Sequence, residues 1–346
     1  RVRWWSMPGI SSTAPAGSGM DSTTRASDAD TVRALIAGGG GFIGSHMADL
    51  LLGRGDEVVV IDSFLTGRRS NLSNAGGRSG FRLVEHDVIE PLPDLGDFDA
   101  VLNLASPASP GDFARFPLEI LSVGSTGTRH LLELAGDQGA RFLQASTSEV
   151  YGDPLVHPQS ENYLGNVDPV GPRSCYDEAK RFGEAMVSAH RRVHDTNTTI
   201  ARIFNTYGER MTPDDGRVVT TFVAQAIRGE PLTVYGDGSQ TRSFCYVSDQ
   251  VTGLVALLDS DMDGPVNIGS PSEITIWDLA EMIIDLTNSA STVVAAPLPP
   301  EREGDPARRC PDITVARTAL GWEPLVSLRD GLVGMIAHFR SVELVG

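Results

Sequence analysis

The 346-residue chain carries 28 Lys and Arg against 45 Asp and Glu, a formal charge of −17, with 40% hydrophobic and 21% charged residues. That balance suits a globular protein with a sizeable core, and its surface repels phosphate backbones, which argues against nucleic-acid binding. Three cysteines (Cys175, Cys245, Cys310) and seven scattered histidines show no ligand spacing, so the expectation is free thiols in the cytoplasm, with no metal and no disulfide framework.

Residues 1–31 are rich in Ser, Thr, Ala, Gly and Pro and lack apolar periodicity, which reads as a disordered N-terminal tail. Arg1, Arg3, Trp4 and Trp5 are not followed by an apolar segment of secretory type, and no run of 18 apolar residues exists for a membrane span. From Val32 the pattern alternates. Strands are predicted at Arg33–Ala37, Glu57–Asp62, Phe81–Glu85 and at 100–104, 141–146 and 199–204. Helices are predicted between them at 42–53, 118–138 and 173–193. Near-continuous apolar strands separated by helices imply a parallel sheet covered on both faces. After Asn205 the chain becomes richer in Gly, Pro and Arg, with brief helices at 221–228, 249–259, 275–287 and 327–338. The division is therefore a dinucleotide-binding domain at 32–204, a mainly substrate-binding lobe at 205–340 and a short tail at 341–346.

Gly38-Gly39-Gly40-Gly41-Phe42-Ile43-Gly44 lies between the first strand and the first helix. Gly38, Gly41 and Gly44 have GxxGxxG spacing, which lets a pyrophosphate approach the backbone and the N-terminus of the helix. Asp62 ends the second strand 24 residues after Gly38, placed to accept bonds from ribose hydroxyls. A carboxylate there repels the 2′-phosphate of NADP, whereas Arg68 and Arg69 would attract one; the nearer aspartate favours NAD. Asp87, after the third strand, is placed for the adenine amino group.

Tyr176 and Lys180 form a YxxxK pair one helical turn apart, on one face. A phenol has an unperturbed pKa near ~10. A neighbouring ammonium and a cationic nicotinamide would stabilise the phenolate, making it a base for a substrate hydroxyl. The pair follows a predicted strand that ends in Ser146-Thr147-Ser148-Glu149.

Together these motifs resemble the extended short-chain dehydrogenase/reductase superfamily, in its nucleotide-sugar epimerase/dehydratase branch, and most closely the UDP-glucuronate decarboxylase family. The resemblance runs from 33 to about 339. It rests on 105–110 (ASPASP), 145–153 (ASTSEVYGD), 157–161 (HPQSE), 175–180 (CYDEAK), 201–206 (ARIFNT) and 215–219 (DGRVV). Further on come 229–236 (GEPLTVYG), 238–242 (GSQTR) and 321–324 (GWEP). It implies an α/β fold: a Rossmann-type doubly wound parallel sheet with a smaller mixed α/β lobe for the substrate.

The implied reaction oxidises C4 of a glucuronosyl group to give a β-keto acid, releases CO2 and re-reduces C4, so NAD is regenerated each turnover. Tyr176 would be the C4 hydroxyl base. Lys180 would assist it and hold the nicotinamide ribose, and Thr147 would bond the C4 oxygen. Ser148 would assist. Glu149 would move protons or orient the surroundings of the carboxylate. Arg309, in Arg309-Cys310-Pro311-Asp312-Ile313, would reach the carboxylate and aid protonation at C5. The resemblance extends the cofactor contacts to Phe42, Ile43, Ser63, Phe64, Thr66, Gly67, Val88, Leu104 and Ala105. It assigns Ser106, Pro107, Ser109, Asn205, Arg217, Val219, Tyr235, Gln240 and Arg242 to the UDP-sugar, and implies a homodimer through the helices at 118–138 and 173–193.

Three positions depart from the superfamily: Gly124 stands where Asn is usual, Ala37 where Thr is usual and Asn103 where His is common. Gly124 weakens a helix by up to about 1 kcal/mol, so the local turn there is expected to differ. A 4-epimerase or 4,6-dehydratase is the same-fold alternative, and an NAD-sensing protein without catalysis is the alternative of another class. The intact Thr147, Glu149, Tyr176 and Lys180 argue against the sensor.

Overall fold

The computed structural model describes residues 31–213, 215–298 and 308–343; the expected tail, apart from Thr31, and positions 344–346 lie outside the described residues. The first half of the chain alternates strand and helix. In order these are β1 (Arg33–Ala37), α1 (Phe42–Arg54), β2 (Glu57–Asp62), β3 (Phe81–Glu85), β4 (Ala100–Asn103), α2 (Pro110–Arg115) and α3 (Pro117–Ser122). Then come α4 (Thr128–Gln138), β5 (Arg141–Thr147), α5 (Ser174–His194) and β6 (Thr198–Ile203). The second half contains β7 (Thr206–Tyr207), α6 (Val218–Arg228), β8 (Leu232–Tyr235), β9 (Thr241–Ser243), β10 (Cys245–Tyr246) and α7 (Val247–Leu258). It continues with β11 (Val266–Ile268), β12 (Glu273–Thr275), α8 (Ile276–Thr287), β13 (Val293–Ala296), β14 (Arg308–Arg309), α9 (Thr314–Leu320) and α10 (Leu328–Glu343).

Seven strands form one parallel sheet in the order β11-β6-β5-β4-β1-β2-β3. This is the doubly wound Rossmann-like arrangement. The strand order reverses between β1 and β4, which opens a crevice at their C-terminal ends, the usual ligand position in such sheets. Burial on both faces follows from alternation within each strand. Ala34, Ile36, Val58 and Val60 pack with Met47 and Leu51 of α1 and with Val251 and Leu254 of α7. Their neighbours Leu35, Val59, Ile61 and Val101 pack with Leu131, Leu132 and Val187 of α4 and α5. Each large apolar side chain so buried contributes about 1.5–3 kcal/mol, and the continuous apolar runs of β1 and β2 are what allow two covered faces.

The lobe has a core of its own, in which Phe222, Val223, Leu232, Val234, Leu279, Ile283, Met335 and Phe339 meet. A single cut at 204 does not separate it from the sheet. β11 is a strand of the main sheet, and Val247, Val251, Leu254, Ile313 and Trp322 pack into the sheet's core. α10 runs through Glu343, so 341–343 are helical where a tail was expected.

The predicted helix at 118–138 is interrupted. Val123–Gly127 is a π-helical turn between α3 and α4. A Cβ at Gly124 would stand 2.7 Å from the Cβ of Ala179 and 3.1 Å from its carbonyl oxygen. Glycine lets this turn press against α5 beside Lys180, where the side chain of Asn would collide. Ala37 is fully buried, and Asn103 is buried with its amide nitrogen donating to Thr128 Oγ1 (3.1 Å) and Gln144 Oε1 (3.0 Å).

Candidate active site

The crevice is one cavity of about 1080 Å³ that runs from the glycine loop past the end of β5 to the lobe. Gly38 has φ +80°, and a Cβ there would lie 2.7 Å from the backbone of Leu104 and Ala105; one at Gly44 would lie 2.2 Å from Gly38 O. Side chains are therefore excluded at both positions, and the shortened loop brings the N-terminal N–H groups of α1 to the cavity wall. Such a cradle fits a pyrophosphate.

Asp62 is 9% exposed, and its Oδ2 and Oδ1 accept bonds from Gly40 N (2.8 Å) and Phe64 N (2.7 Å). Burial raises its pKa against the pull of those two amides. The carboxylate ties the glycine loop to β2, and each oxygen keeps a lone pair for a ribose hydroxyl. The arginines that would attract a 2′-phosphate are engaged. Arg68 donates to Arg210 O (3.0 Å), while Arg69 lies over the Phe64 ring and bonds Glu85. These features fit NAD rather than NADP.

The cavity is lined by Gly38, Gly41, Phe42, Ile43, Gly44, Thr66 and Leu104 of the expected cofactor set. Asp62, Ser63, Phe64, Gly67, Asp87, Val88 and Ala105 do not line it. Asp87 Oδ1 accepts Ile89 N (3.1 Å), and the Val88 side chain is in the core beneath α4, with its carbonyl against His130 Nδ1 (2.9 Å).

At the end of β5 the chain tightens into a turn of 3-10 helix (Ser148–Tyr151), which turns Ser148 and Glu149 toward the N-terminus of α5. Thr147, Ser148, Glu149, Tyr176, Lys180 and Arg309 all line the cavity. Tyr176 is buried and stacked on Phe113 of α2 (4.8 Å between centroids, 19° between planes). Burial, and then the charge of Glu149, push its phenol up to about 12. Burial lowers Lys180 to about 8; its Nζ donates to Ala145 O (3.0 Å) and lies 5.7 Å from the Tyr176 ring centroid. The expectation that Lys180 lowers the phenol's pKa is thus not met by the protein alone, because the ammonium is directed to a backbone carbonyl and burial dominates.

Glu149 is held by two guanidiniums. Arg309 Nη1 and Nη2 both bond it (the latter at 2.7 Å), and Arg173 Nη2 bonds the same Oε2 at 2.7 Å. Burial works to raise its pKa, but the charges of Arg309 and Arg173 prevail and hold it below the usual range. Asp177 lies in the same charge cluster, 6% exposed, with Oδ1 unpartnered. Burial first, then Glu149, push it up to about 7. The two carboxyls are thereby driven apart, one ionised and one readily protonated. Phe113, Arg173 and Asp177 were missed in the sequence. The adjacency of Arg173 and Asp177 to Tyr176 was a usable signal, but Phe113 had none.

The lobe end contains the expected substrate residues Ser106, Ser109, Asn205, Arg217, Val219, Tyr235, Gln240 and Arg242; Pro107 does not line the cavity. Arg217 Nη2 donates to Ala108 O (3.0 Å) and Arg242 Nη1 to Thr241 O (2.8 Å), which fixes both stems at the wall. Gln240 Nε2 donates to Tyr235 O (3.0 Å), and Val219 packs into the lobe's core. Lys180 and seven arginines (Arg68, Arg115, Arg173, Arg210, Arg217, Arg242, Arg309) line the cavity against Asp112, Glu149 and Asp215. An acidic chain thus has a basic interior crevice, the field that an anionic nucleotide needs. Among the described residues, no cluster of His, Cys, Asp and Glu could hold a metal ion, and no helix is long and apolar enough to cross a membrane.

The model of the NAD dependent epimerase/dehydratase family matches residues 34–269. UDP-glucuronic acid decarboxylase 1 of Arabidopsis thaliana is 51% identical over 310 residues, which cover 90% of this chain and 70% of that protein. UDP-glucuronic acid decarboxylase 1 of Danio rerio is 50% identical over 313 residues, 90% of this chain and 74% of that one. A similar solved structure is the UDP-glucuronic acid 4-epimerase of Bacillus cereus in complex with UDP-glucuronic acid and NAD. It has a TM-score of 0.80 and 29% identity, covering 90% of this chain and 99% of that one.

Proposed function

The chain belongs to the NAD dependent epimerase/dehydratase family, and we propose that within it the chain is an enzyme that converts UDP-glucuronate to UDP-xylose and CO2. The observation that carries this is the Arg309–Glu149–Arg173 cluster in the cavity that holds Tyr176, a set of charges that a C4 redox step alone does not require. NAD is the cofactor; the glycine loop of Gly38, Gly41 and Gly44 would hold it, and when bound it would supply the acceptor and donor of hydride for C4 and a positive charge near the phenol. The protein's own residues do the rest. Tyr176, in the same cavity as Thr147, takes the proton of the C4 hydroxyl, and the two then hold the negative charge that builds on the C4 oxygen as CO2 leaves. Lys180, anchored on Ala145, fixes the face on which Tyr176 works. Glu149 is ionised and engaged by both guanidiniums, so its part is to hold Arg309 and Arg173, and proton donation passes to other groups. Arg309 takes the carboxylate side and orients the water that supplies the proton gained at C5 as CO2 leaves. The basic lobe wall, through Arg217 and Arg242, receives the diphosphate of the UDP-sugar.

Incubation with UDP-glucuronate and NAD, followed by NMR or mass spectrometry, tests the assignment. CO2 with a UDP-pentose is expected. Unchanged substrate, or a C4 epimer with its carboxylate retained, would refute it in favour of the same-fold alternative. We further propose a homodimer through α3 and α5, whose Leu118, Leu121 and Phe182 are exposed. Light scattering should report a dimer that Phe182→Glu splits; an unchanged mass would remove the proposal. Cytoplasmic location is supported by the three free cysteines.

A further inference from the structure

Arg309 lies on a two-residue strand, β14, and its guanidinium reaches the site only if that strand is held from behind. β9 holds it by pairing Arg309 with Arg242, and the segment that follows the turn after β5 holds the residues just after Arg309. Gln159 is fully buried and meets the Arg309 segment along a parallel bridge at Pro311. Its backbone N–H donates to Cys310 O (2.9 Å), and its carbonyl accepts from Asp312 N (2.8 Å). Its side-chain Oε1 accepts from Cys310 N (2.9 Å), while Nε2 donates to Val156 O (2.8 Å). Asn267 of β11, also fully buried, closes the arrangement: its Nδ2 donates to Gln159 O (2.9 Å) and to Asp312 O (3.0 Å).

The same hydrogen-bonded chain continues under the sheet. Asn267 Oδ1 accepts from Tyr151 OH (2.7 Å), Tyr151 OH accepts from Arg202 Nη1 (3.0 Å), and Arg202 forks onto Glu184 (2.9 and 2.7 Å). Glu184 Oε1 accepts from Ser146 Oγ (2.6 Å), the neighbour of Thr147. One network, buried at Asn267 and Tyr151 and part-buried at Arg202 and Glu184, thus joins the redox end of the site to the backbone that carries Arg309. A buried network whose members are satisfied is rigid, and losing one partner leaves others unpaired.

We propose that Gln159 and Asn267 are positioning residues that seat Arg309 against Glu149, and that they serve the carbon dioxide-releasing half of the reaction without touching substrate. This rests on the decarboxylase function proposed above. A pentose lacks the carboxylate, so its oxidation at C4 needs Thr147, Tyr176 and Lys180 but not a correctly seated Arg309. Two measurements on the full chain with NAD therefore separate the roles: CO2 release from UDP-glucuronate, and absorbance of reduced nicotinamide formed on UDP-xylose.

In Gln159→Leu, CO2 release should fall on the order of 10²-fold, the cost of misplacing a reacting group by about an ångström. UDP-xylose oxidation should stay within about twofold, because that half of the site is untouched. Asn267→Asp keeps the oxygen that accepts from Tyr151 OH and removes the Nδ2 donor to Gln159 O and Asp312 O, so it attacks the clasp alone, should give the same split, and serves if Gln159→Leu does not fold. Combining either variant with Arg309→Ala should add little to the loss of CO2 release, because both act through one group. Parallel loss of both activities, or CO2 release within about twofold of the unaltered chain, overturns the positioning role. Absence of CO2 from the unaltered chain overturns the decarboxylase function, and the clasp's role with it, before any variant is made.

Discussion

The two ends of the cavity are built in opposite ways. At the cofactor end, the glycine loop and Asp62 lie on consecutive elements β1, α1 and β2, and the geometry is local: a turn too close for side chains and a carboxylate bonded to the turn's own amides. At the carboxylate end, Glu149, Arg173 and Arg309 come from the turn after β5, the start of α5 and β14, and neither guanidinium is within 20 residues of Glu149 in the chain. The first end is stabilised by backbone shape, whereas the second is stabilised by charge compensation in a buried place. Shape is written in short sequence spacings. Charge compensation depends on which distant segments the fold brings together.

Variants can break this contrast or sharpen it. Tyr176→Phe removes the proton acceptor proposed for both halves of the reaction, and both CO2 release and UDP-xylose oxidation should drop about 10³-fold. Survival of either activity would mean that the phenol is not the shared base. Arg309→Ala should leave NAD binding intact in calorimetry and lower CO2 release about 10²-fold, leaving C4 oxidation in place. Equal turnover would return Arg309 to a structural part. Gly124→Asn tests the contact between the π-helical turn and α5. The 2.7 Å clash with Ala179 should cost about 1–3 kcal/mol in denaturant unfolding and slow both activities together through Lys180.

A separate test of stability is the pH dependence of Asp177. Its folded pKa, pushed up to about 7, lies above the ordinary aspartate value of 3.8, so the native state holds more protons than the unfolded state between those values. Stability from this group is complete below pH 4 and is lost as pH rises toward 7. Asp177→Asn should remove that loss, flattening the stability profile across the window. An unaltered slope in the variant would place the titrating group elsewhere.

The apolar runs of β1 and β2 and the strand–helix alternation determined the parallel sheet from sequence alone, since a strand with no polar face must be covered twice. GxxGxxG and Asp62 determined the tight loop after β1 for the same local reason: only glycine fits where the loop meets Leu104 and Ala105, and the carboxylate bonds the loop's own amide. Tyr176 and Lys180 were visible as a pair one turn apart, but their electrostatics were not, because the ammonium goes to Ala145 and burial raises the phenol. The interleaving of β11 with the first half, Phe113 on Tyr176, the π-helical turn at Gly124 and the seating of Arg309 by Gln159 and Asn267 were decided by the tertiary structure. Each depends on residues far apart in the chain whose meeting no local spacing encodes. Their strength comes from being withdrawn from water together, which happens only once the sheet has formed.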